Sequence, residues 1–378
     1  MTNNILQILF LLLAVTIPIS VAGTNIIISL FVFFWILEGK FSEKLEILKK
    51  TKWIFPLILL LLFYIISFLF VGEQEHTTFI FQRLLLLLVL PIFISTELKQ
   101  ETLKKSVTVF FYVVFFSAVI SILGMDSNWK DFPAFLKYNY HNITLAFSSI
   151  LALHLLINSK INKPSLLIIF IIICSISIFL EKGRAGQLLF LLFFSIQILA
   201  SFKKTPKYSF IIFGFIVSLL ALASYKSDNF QRRVADATQI VQNDGINNSG
   251  HKDVRYTFFK KSFELIKAKP FFGYGTGTWY TRFHKESNFG NPNIKNHFHP
   301  HNNYLYIWFE LGFFSLITFL LIFYFQIKEL SKRSYSIYRI TLPVILLLLM
   351  FIDSYFFVFN IMIMYIYFYT IYRSYLFK

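Results

Sequence analysis

The chain is poor in cysteine, in acidic residues and in repeated or low-complexity sequence. Its one cysteine, Cys174, lies in an apolar stretch, which excludes an intramolecular disulfide and a cysteine-based metal site. Only 19 acidic residues stand against 36 basic residues, so the formal net charge is +17. A nucleotide-binding P-loop is also absent, because no glycine-rich segment ends in Gly-Lys followed by Ser or Thr.

Long apolar runs dominate instead: 56% of the residues are hydrophobic, 49 are Phe, and the mean hydropathy is +0.64. A soluble domain is nearer half apolar and contains far less Phe, so much of this surface must face lipid. We predict an all-α polytopic membrane protein with about 12 transmembrane helices, each needing about 20 apolar residues, and 10 or 11 as alternatives. The predicted spans are 4–21, 24–38, 53–71, 79–95, 105–124, 142–158, 165–180, 186–202, 208–225, 302–326, 339–355 and 357–373.

The positions of the basic residues predict which side of the membrane each connecting segment faces. With both termini in the cytoplasm, 19 basic residues lie in inner segments and four in the short outer loops, as the positive-inside rule requires. The outer four are Lys130, Lys137, Lys182 and Arg184. Topology accounts for much of the net charge, so we expect no nucleic-acid partner. The run from Ile5 lacks a basic start and a signal-cleavage site, and we expect it to be a retained first helix.

One long polar segment, about Lys226 to Pro300, interrupts the predicted spans. It is too long for a connector and too polar for lipid, so we expect a small folded cap outside the membrane. The predicted organisation is a bundle of spans 1 to 9 over residues 1–225, a periplasmic loop or cap over 226–301, and spans 10 to 12 with the cytoplasmic C-terminus over 302–378.

Two segments carry arginines to the predicted outer face. Arg184 in EKGRAGQ begins a span, where a helix N-terminus and a guanidinium suit a phosphate, although an anchor at the lipid headgroups is the simpler interpretation. Arg255 begins an amphipathic helix predicted over 253–268, and Gly273 and Gly275 in the following loop permit close backbone approach. Alone, this second segment is more typical of a solvated helix start with a loop after it.

The third segment, HPHNNYLYIWFELG, joins histidines to the start of a hydrophobic helix. If that helix begins at Asn302, His301 lies at its outer end and Glu310 lies about 13 Å deeper. Histidine titrates near neutral pH, so the pair His299 and His301 can take up or release a proton there. Glu310 at that depth is a functional candidate or a structural hydrogen-bond partner.

A metal site is a further possibility for this segment. His297, His299 and His301 alternate, and an extended chain could direct all three at one ion. Pro300 and the start of the helix interrupt the alternation, and no carboxylate is close in sequence, so we expect no metal there.

Together the three segments resemble the O-antigen ligase and O-antigen polymerase superfamily of bacterial membrane glycosyltransferases. The family pattern has an outer Ser-Arg-Gly/Ala turn, then Arg-x-x-x-aromatic followed by Pro-x-x-Gly-x-Gly, and then His-x-His-Asn-x-x-Leu followed by Glu-x-Gly. Here these read GRAGQ (183–187), RYTFF with KPFFGYGTG (255–277) and HPHNNYLYIWFELG (299–312). Gly183 stands where serine is common, which puts a supporting hydroxyl in doubt.

The resemblance implies a GT-C-like bundle in the bacterial inner membrane, with its site facing the periplasm. It implies metal-independent, inverting transfer of a glycan from undecaprenyl diphosphate to an acceptor hydroxyl, without a cofactor. Arg184 and Arg255 would bind the diphosphate and His301 would be the general base, with His299, Asn302, Glu310, Gly273 and Gly275 in support.

The acceptor is the open question within that family. We expect an O-antigen ligase that uses lipid A-core, in lipopolysaccharide or surface polysaccharide biosynthesis. A polymerase that joins lipid-linked repeat units and a relative that modifies protein are the alternatives. A non-enzymatic transporter of lipid-linked oligosaccharide, or a scaffold, is the alternative of another class; a transporter would place its cations in a central cavity, often between repeated halves.

Overall fold

All regular elements in the part of the chain that the structure describes are helical, which confirms the predicted all-α class. The computed structural model describes residues 2–124, 135–158, 164–181, 183–201, 214, 254–286, 297–333 and 336–374. The first ten helices are α1 (Thr2–Thr16), α2 (Val21–Glu38), α3 (Phe41–Lys49), α4 (Ile54–Val71), α5 (Thr77–Leu87), α6 (Val89–Ile94), α7 (Gln100–Gly124), α8 (Tyr138–Asn158), α9 (Pro164–Leu180) and α10 (Arg184–Ser201). The others are α11 (Val254–Ala268), α12 (Trp279–Glu286), α13 (Asn303–Leu311), α14 (Phe313–Ser331), α15 (Ser336–Ile352) and α16 (Phe359–Ser374), with a 3-10 turn at Tyr355–Phe357.

Within these residues, six helical segments are long and apolar enough to cross a membrane, which supports the prediction of a membrane protein with several spans. They are Val21–Glu38, Ile54–Val71, Thr77–Ile94, Gln100–Gly124, Tyr138–Ile157 and Phe313–Ser331. Shorter apolar helices occupy four other predicted spans: Thr2–Thr16, Pro164–Leu180, Arg184–Leu199 and Tyr338–Ile352. Twelve spans and an outer position of the long loop stay predictions. The predicted span 208–225 except Gly214, loop residues 226–253, Lys130 and Lys182 lie outside the described residues.

Helix α4 shows the surface pattern of a lipid-facing element. Leu60 and Tyr64 are fully buried, whereas Phe55 is 74% exposed and Phe70 is 87% exposed. In hydrocarbon each backbone polar group must be paired inside the segment, which a continuous helix achieves. Gly72 follows the helix with a positive φ of 75°, and its N–H donates a hydrogen bond to the Phe68 carbonyl, which closes the last turn.

The amphipathic helix predicted over 253–268 is confirmed as α11, but the predicted span 302–326 is two helices. Gly312 separates α13 from α14 and has a φ of 83°, a conformation that other residues rarely adopt. A Cβ at Gly312 would lie 2.0 Å from the carbonyl oxygen of Phe271. The loop after α11 therefore packs directly against the break in the helix.

The chain forms two compact units. The first comprises Met1–Gly39, Thr96–Phe230 and Tyr367–Lys378; the second comprises Lys40–Ser95 and Gln231–Ile366. Arg184 belongs to the first unit, and Arg255 and His301 belong to the second. The predicted three-part domain organisation stays a prediction, because much of the proposed cap lies outside the described residues.

Candidate active site

His301 is the centre of a cluster of polar side chains in the second unit. Its Nδ1 lies 2.8 Å from Oδ1 of Asp353, and its Nε2 lies 3.0 Å from Nδ1 of His297. Nδ1 of His299 accepts a hydrogen bond from the His301 backbone N–H at 3.3 Å. These four residues, here called the His301 cluster, form a hydrogen-bonded chain from the carboxylate through two imidazoles.

The start of α13 explains why His301 and Asp353 meet. The Asn302 side chain accepts a hydrogen bond from the Leu305 amide at 3.0 Å, which caps the helix. The same side chain donates to the carbonyl of Phe351 at 3.2 Å, in the last turn of α15. Asp353 follows two residues later and thereby reaches the imidazole of His301. One polar side chain fixes both ends of this junction.

The backbone at His301 has a conformation that is uncommon for a residue with a side chain. Its φ is 53°, in the left-handed region, so His301 lies just outside the helix that follows it. Such a conformation costs on the order of 1–3 kcal/mol and persists where the surroundings hold it, often at functional sites. Here the helix cap and the hydrogen bond to Asp353 supply that constraint.

Asp353 determines which protons His301 can exchange. A carboxylate only accepts hydrogen bonds, so the hydrogen bond assigns the hydrogen of this pair to Nδ1 of His301. In the neutral ring Nε2 is then the acceptor. The same carboxylate would stabilise the imidazolium once a proton has been taken, as in the His–Asp pairs of acyl-transfer enzymes. The pair is therefore arranged as a general base and its orienting carboxylate.

Sequence reasoning did not find Asp353. It lies 52 positions after His301, so no local motif connects the two residues. The available signal was an acidic residue in the apolar stretch MFIDSYFF, since an ionisable residue at such a place is a functional candidate.

Helix α11 lies beside the His301 cluster. The ring of Phe258 stacks on the imidazole of His301 with 5.8 Å between centroids, and meets that of His297 at 5.3 Å. Arg255 lies one turn earlier on α11 and is exposed. Its charge contributes to the lowered pKa values of His297 and His299. The helix thus brings a guanidinium into the neighbourhood of the imidazoles.

Two of the imidazoles are neutral near pH 7. Burial lowers the pKa of His299 to about 4; His301, His297 and Arg255 act in the same direction, and Asp353 opposes them. Burial also lowers the pKa of His297, again with a contribution from His301. A neutral imidazole can accept a proton, so the cluster suits proton transfer at neutral pH.

Three residues of the cluster could also hold a metal ion. His299, His301 and Asp353 each offer one donor atom, and these atoms all lie within 4.8 Å of one another. Three protein ligands with one open position suit zinc. The expectation of no metal relied on the lack of a carboxylate near the histidines in sequence, and Asp353 supplies one through the fold. That expectation stays a prediction.

The glycine-rich loop after α11 is held against α13. The amide of Gly275 donates to the Glu310 carbonyl at 2.8 Å, and the amide of Gly277 donates to Oε1 of Glu310 at 3.0 Å. A Cβ at Gly273 would lie 2.5 Å from the Glu310 carbonyl oxygen. The close approach that Gly273 permits is therefore to the protein's own backbone. Glu310 is fully buried and is the hydrogen-bond partner of this loop.

In the first unit, Arg184 is the exposed first residue of α10, directly after a tight turn. The buried Asn142 of α8 donates to the carbonyls of Ile178 and Gly183, at 3.2 and 3.1 Å. A Cβ at Gly183 would lie 2.5 Å from Nδ2 of Asn142, and one at Gly186 would lie 2.4 Å from its backbone carbonyl carbon. Close packing on Asn142 thus accounts for glycine at position 183, where the family often has serine.

A buried hydrogen-bond network supports the same turn. Nδ1 of His141 lies 2.7 Å from Oε1 of Glu181, and its Nε2 lies 2.6 Å from the Ser117 hydroxyl. The Ser121 hydroxyl also donates to Glu181. Side chains from α7 and α8 thereby meet the residue that follows α9. Sequence reasoning missed His141 and Asn142, because they look like ordinary polar residues at the start of a span.

The fold and these polar groups define a helical membrane protein with a histidine–aspartate pair beside an arginine. A family model described as O-antigen ligase matches residues 166–320, a region that contains all three sequence motifs. The match supports membership of the O-antigen ligase and polymerase superfamily, so the family that the motifs indicated is confirmed. Its members are glycosyltransferase-like enzymes with lipid-linked glycan substrates. No curated protein matches the chain.

Proposed function

We propose that the protein is an O-antigen ligase that transfers a glycan from undecaprenyl diphosphate to a hydroxyl of lipid A-core. The reaction takes place at the periplasmic face of the bacterial inner membrane and inverts the anomeric centre. The observation that supports the proposal best is the hydrogen-bonded pair of His301 and Asp353 beside Arg255, in a chain that matches the O-antigen ligase family.

In the proposed reaction His301 is the general base. The acceptor hydroxyl takes the place of His297 at Nε2 of His301, and its proton moves to that nitrogen as its oxygen attacks the anomeric carbon. The bond between the anomeric carbon and the diphosphate oxygen breaks, and the diphosphate leaves with the electron pair. Asp353 stabilises the imidazolium that forms. General base catalysis of this kind contributes roughly 10²–10⁴-fold to a rate.

Arg184 and Arg255 are the proposed ligands of the diphosphate. Each lies in the first turn of a helix, where free backbone amides and the helix dipole favour an anion. Negative charge gathers on the leaving group in the transition state, and guanidinium groups held in place stabilise it without a metal ion. If both arginines bind one diphosphate, Arg184→Lys and Arg255→Lys should each raise the KM for the donor. The effect of the double variant should then differ from the sum of the two single effects in free energy.

The test is glycan transfer in a bacterial strain that lacks its own ligase, at matched membrane levels of each variant. Wild type is compared with His301→Gln, which removes the base, and with His76→Gln, a histidine of the same unit outside the cluster. Restored attachment of glycan to lipid A-core, lost roughly 10²-fold in His301→Gln alone, supports the ligase. Lengthened chains that stay on the prenyl carrier would identify a polymerase. Equal activity of His301→Gln and wild type would exclude the catalytic assignment and favour a transporter or scaffold.

A further inference from the structure

A cleft rich in positive charge lies in the second unit, where α14 ends and α4 begins. Its volume is about 380 Å³. Five cationic side chains line it together with Phe325 and Glu329; they are Lys50, Lys52, Lys328, Lys332 and Arg333. These residues, here called the basic cleft, have no part in the proposed transfer reaction.

The basic cleft lies at the level where two spans end. Trp53 immediately precedes α4, and its Nε1 donates to Oε2 of Glu329 in the last turn of α14, at 3.1 Å. Both helices are long and apolar enough to cross a membrane. Because the start of one span is bonded to the end of the other, the cleft lies where the hydrocarbon gives way to the headgroups. The positive-inside rule predicts that this is the cytoplasmic side.

Positive charge exceeds negative charge in the cleft. Glu329 is the one carboxylate among its lining residues, and it is engaged by Trp53 and lies 3.9 Å from Nη2 of Arg333. Outside the lining, Glu46 lies 2.5 Å from Nζ of Lys50. These two carboxylates face five cations, so the cleft is complementary to an anion that carries more than one hydrogen-bond acceptor.

Apolar surface continues from the cleft along both spans. Phe325 lines the cleft, and Tyr324 in the same turn of α14 is 52% exposed. One turn further into the span Leu320 and Leu321 are exposed, and Phe55 is exposed near the start of α4. A ligand that satisfies both parts of this surface has an anionic head and hydrocarbon chains.

We propose that the basic cleft binds the phosphate headgroup of an anionic membrane phospholipid, whose acyl chains lie along the exposed sides of α4 and α14. Clusters of Lys and Arg beside a membrane span attract anionic lipids through charge, and a cleft adds a defined position for the phosphate. The lipid binds as a ligand of the folded protein and takes no part in glycan transfer. The proposed lipid site does not depend on the proposed ligase activity.

The experiment measures which lipids stay bound to the full-length protein. The protein is reconstituted in equimolar phosphatidylglycerol and phosphatidylcholine, and the retained lipids are counted by native mass spectrometry. Lys332→Gln/Arg333→Gln removes two charges from the cleft. Lys104→Gln/Lys105→Gln removes two charges from another predicted inner segment and is the matched control. Equal melting temperatures of all three proteins in phosphatidylcholine alone confirm that the variants fold.

We expect wild type and the control to retain phosphatidylglycerol in preference to phosphatidylcholine, and the cleft variant to bind it about tenfold more weakly. Inorganic phosphate and diphosphate are added in separate arms. If either displaces phosphatidylglycerol from wild type and binds with the same dependence on the cleft, the ligand is a free anion and the lipid assignment is wrong. Equal losses in the two double variants, or no preference for phosphatidylglycerol, would overturn the site itself.

Discussion

Nδ1 of His301 and Oδ1 of Asp353 lie 2.8 Å apart although the two residues are 52 positions apart in the chain. The contact joins His301, two positions before α13 begins, to the residue that follows α15. It orients the imidazole through one nitrogen and leaves the other directed at His297. If His301 is the base of a transfer reaction, Asp353 is its positioning residue, and the consequences can be measured.

Replacement of Asp353 by asparagine should lower kcat for glycan transfer by roughly 10²-fold or more, because the imidazole loses its orienting carboxylate and the partner for its positive charge. The KM for the lipid-linked donor should change little, since the diphosphate ligands are untouched. Steady-state kinetics on purified protein in nanodiscs checks both quantities. Partial recovery in Asp353→Glu would separate the carboxylate's chemistry from its packing. An unchanged kcat in Asp353→Asn would show that the pair is only structural.

The turn that carries Arg184 offers a test of packing on Asn142. Gly183→Ala should lower transfer activity because its Cβ meets the side chain of Asn142, and Gly186→Ala should do so because its Cβ meets the Asn142 backbone. A second substitution, Asn142→Gly, removes the side-chain obstacle and should partly restore Gly183→Ala. It should not restore Gly186→Ala, because the backbone remains. Rescue of both glycine variants to the same extent would contradict this account.

The lowered pKa of the partly buried His299 predicts that acid destabilises the fold. An unfolded His299 titrates near 6.5, whereas the pKa in the folded chain is about 4. Between these values the unfolded state binds more protons than the folded state. The contribution of His299 to the free energy of unfolding is therefore fully present above about pH 6.5 and is lost as the pH falls towards about 4. The groups that face His299 are His301, His297, Arg255 and Asp353.

The measurement is the melting temperature of wild type and His299→Gln between about pH 7 and about pH 5. The side chain of His299 is 31% exposed, so its contribution to the difference should be only about 1 kcal/mol. Wild type should lose more thermal stability than His299→Gln over this range. Parallel losses in the two proteins would mean that other groups carry the acid sensitivity.

Metal chelation distinguishes the two roles that the donor atoms of the His301 cluster allow, which are proton transfer and metal binding. Transfer should continue after exhaustive treatment with EDTA, because the proposed arginines, and no metal ion, stabilise the leaving diphosphate. Added Zn²⁺ should inhibit, since His299, His301 and Asp353 present three donor atoms to one ion and the base would be occupied. Loss of activity with EDTA that Zn²⁺ restores would instead make the cluster a catalytic metal centre.

The sequence by itself determined the features that depend on neighbours along the chain. Apolar runs predicted the membrane helices, because the backbone N–H and C=O groups of a segment in hydrocarbon must be hydrogen-bonded to each other, as they are in a helix. The spacing of apolar residues predicted α11, because periodicity is a local property. The motifs around Arg184, Arg255 and His301 indicated the family for the same reason, since each is a short contiguous pattern.

Only the tertiary structure decided which distant groups meet. It placed Asp353 on His301 and Asn142 under the turn of Arg184, contacts that span 52 and about 40 residues and that no local pattern encodes. It also broke the predicted span 302–326 at Gly312, because the loop carrying Phe271 comes too close for a side chain there. Composition and periodicity fix what a segment can be, whereas the orientation of a catalytic base depends on packing between segments that the chain brings together only when it folds.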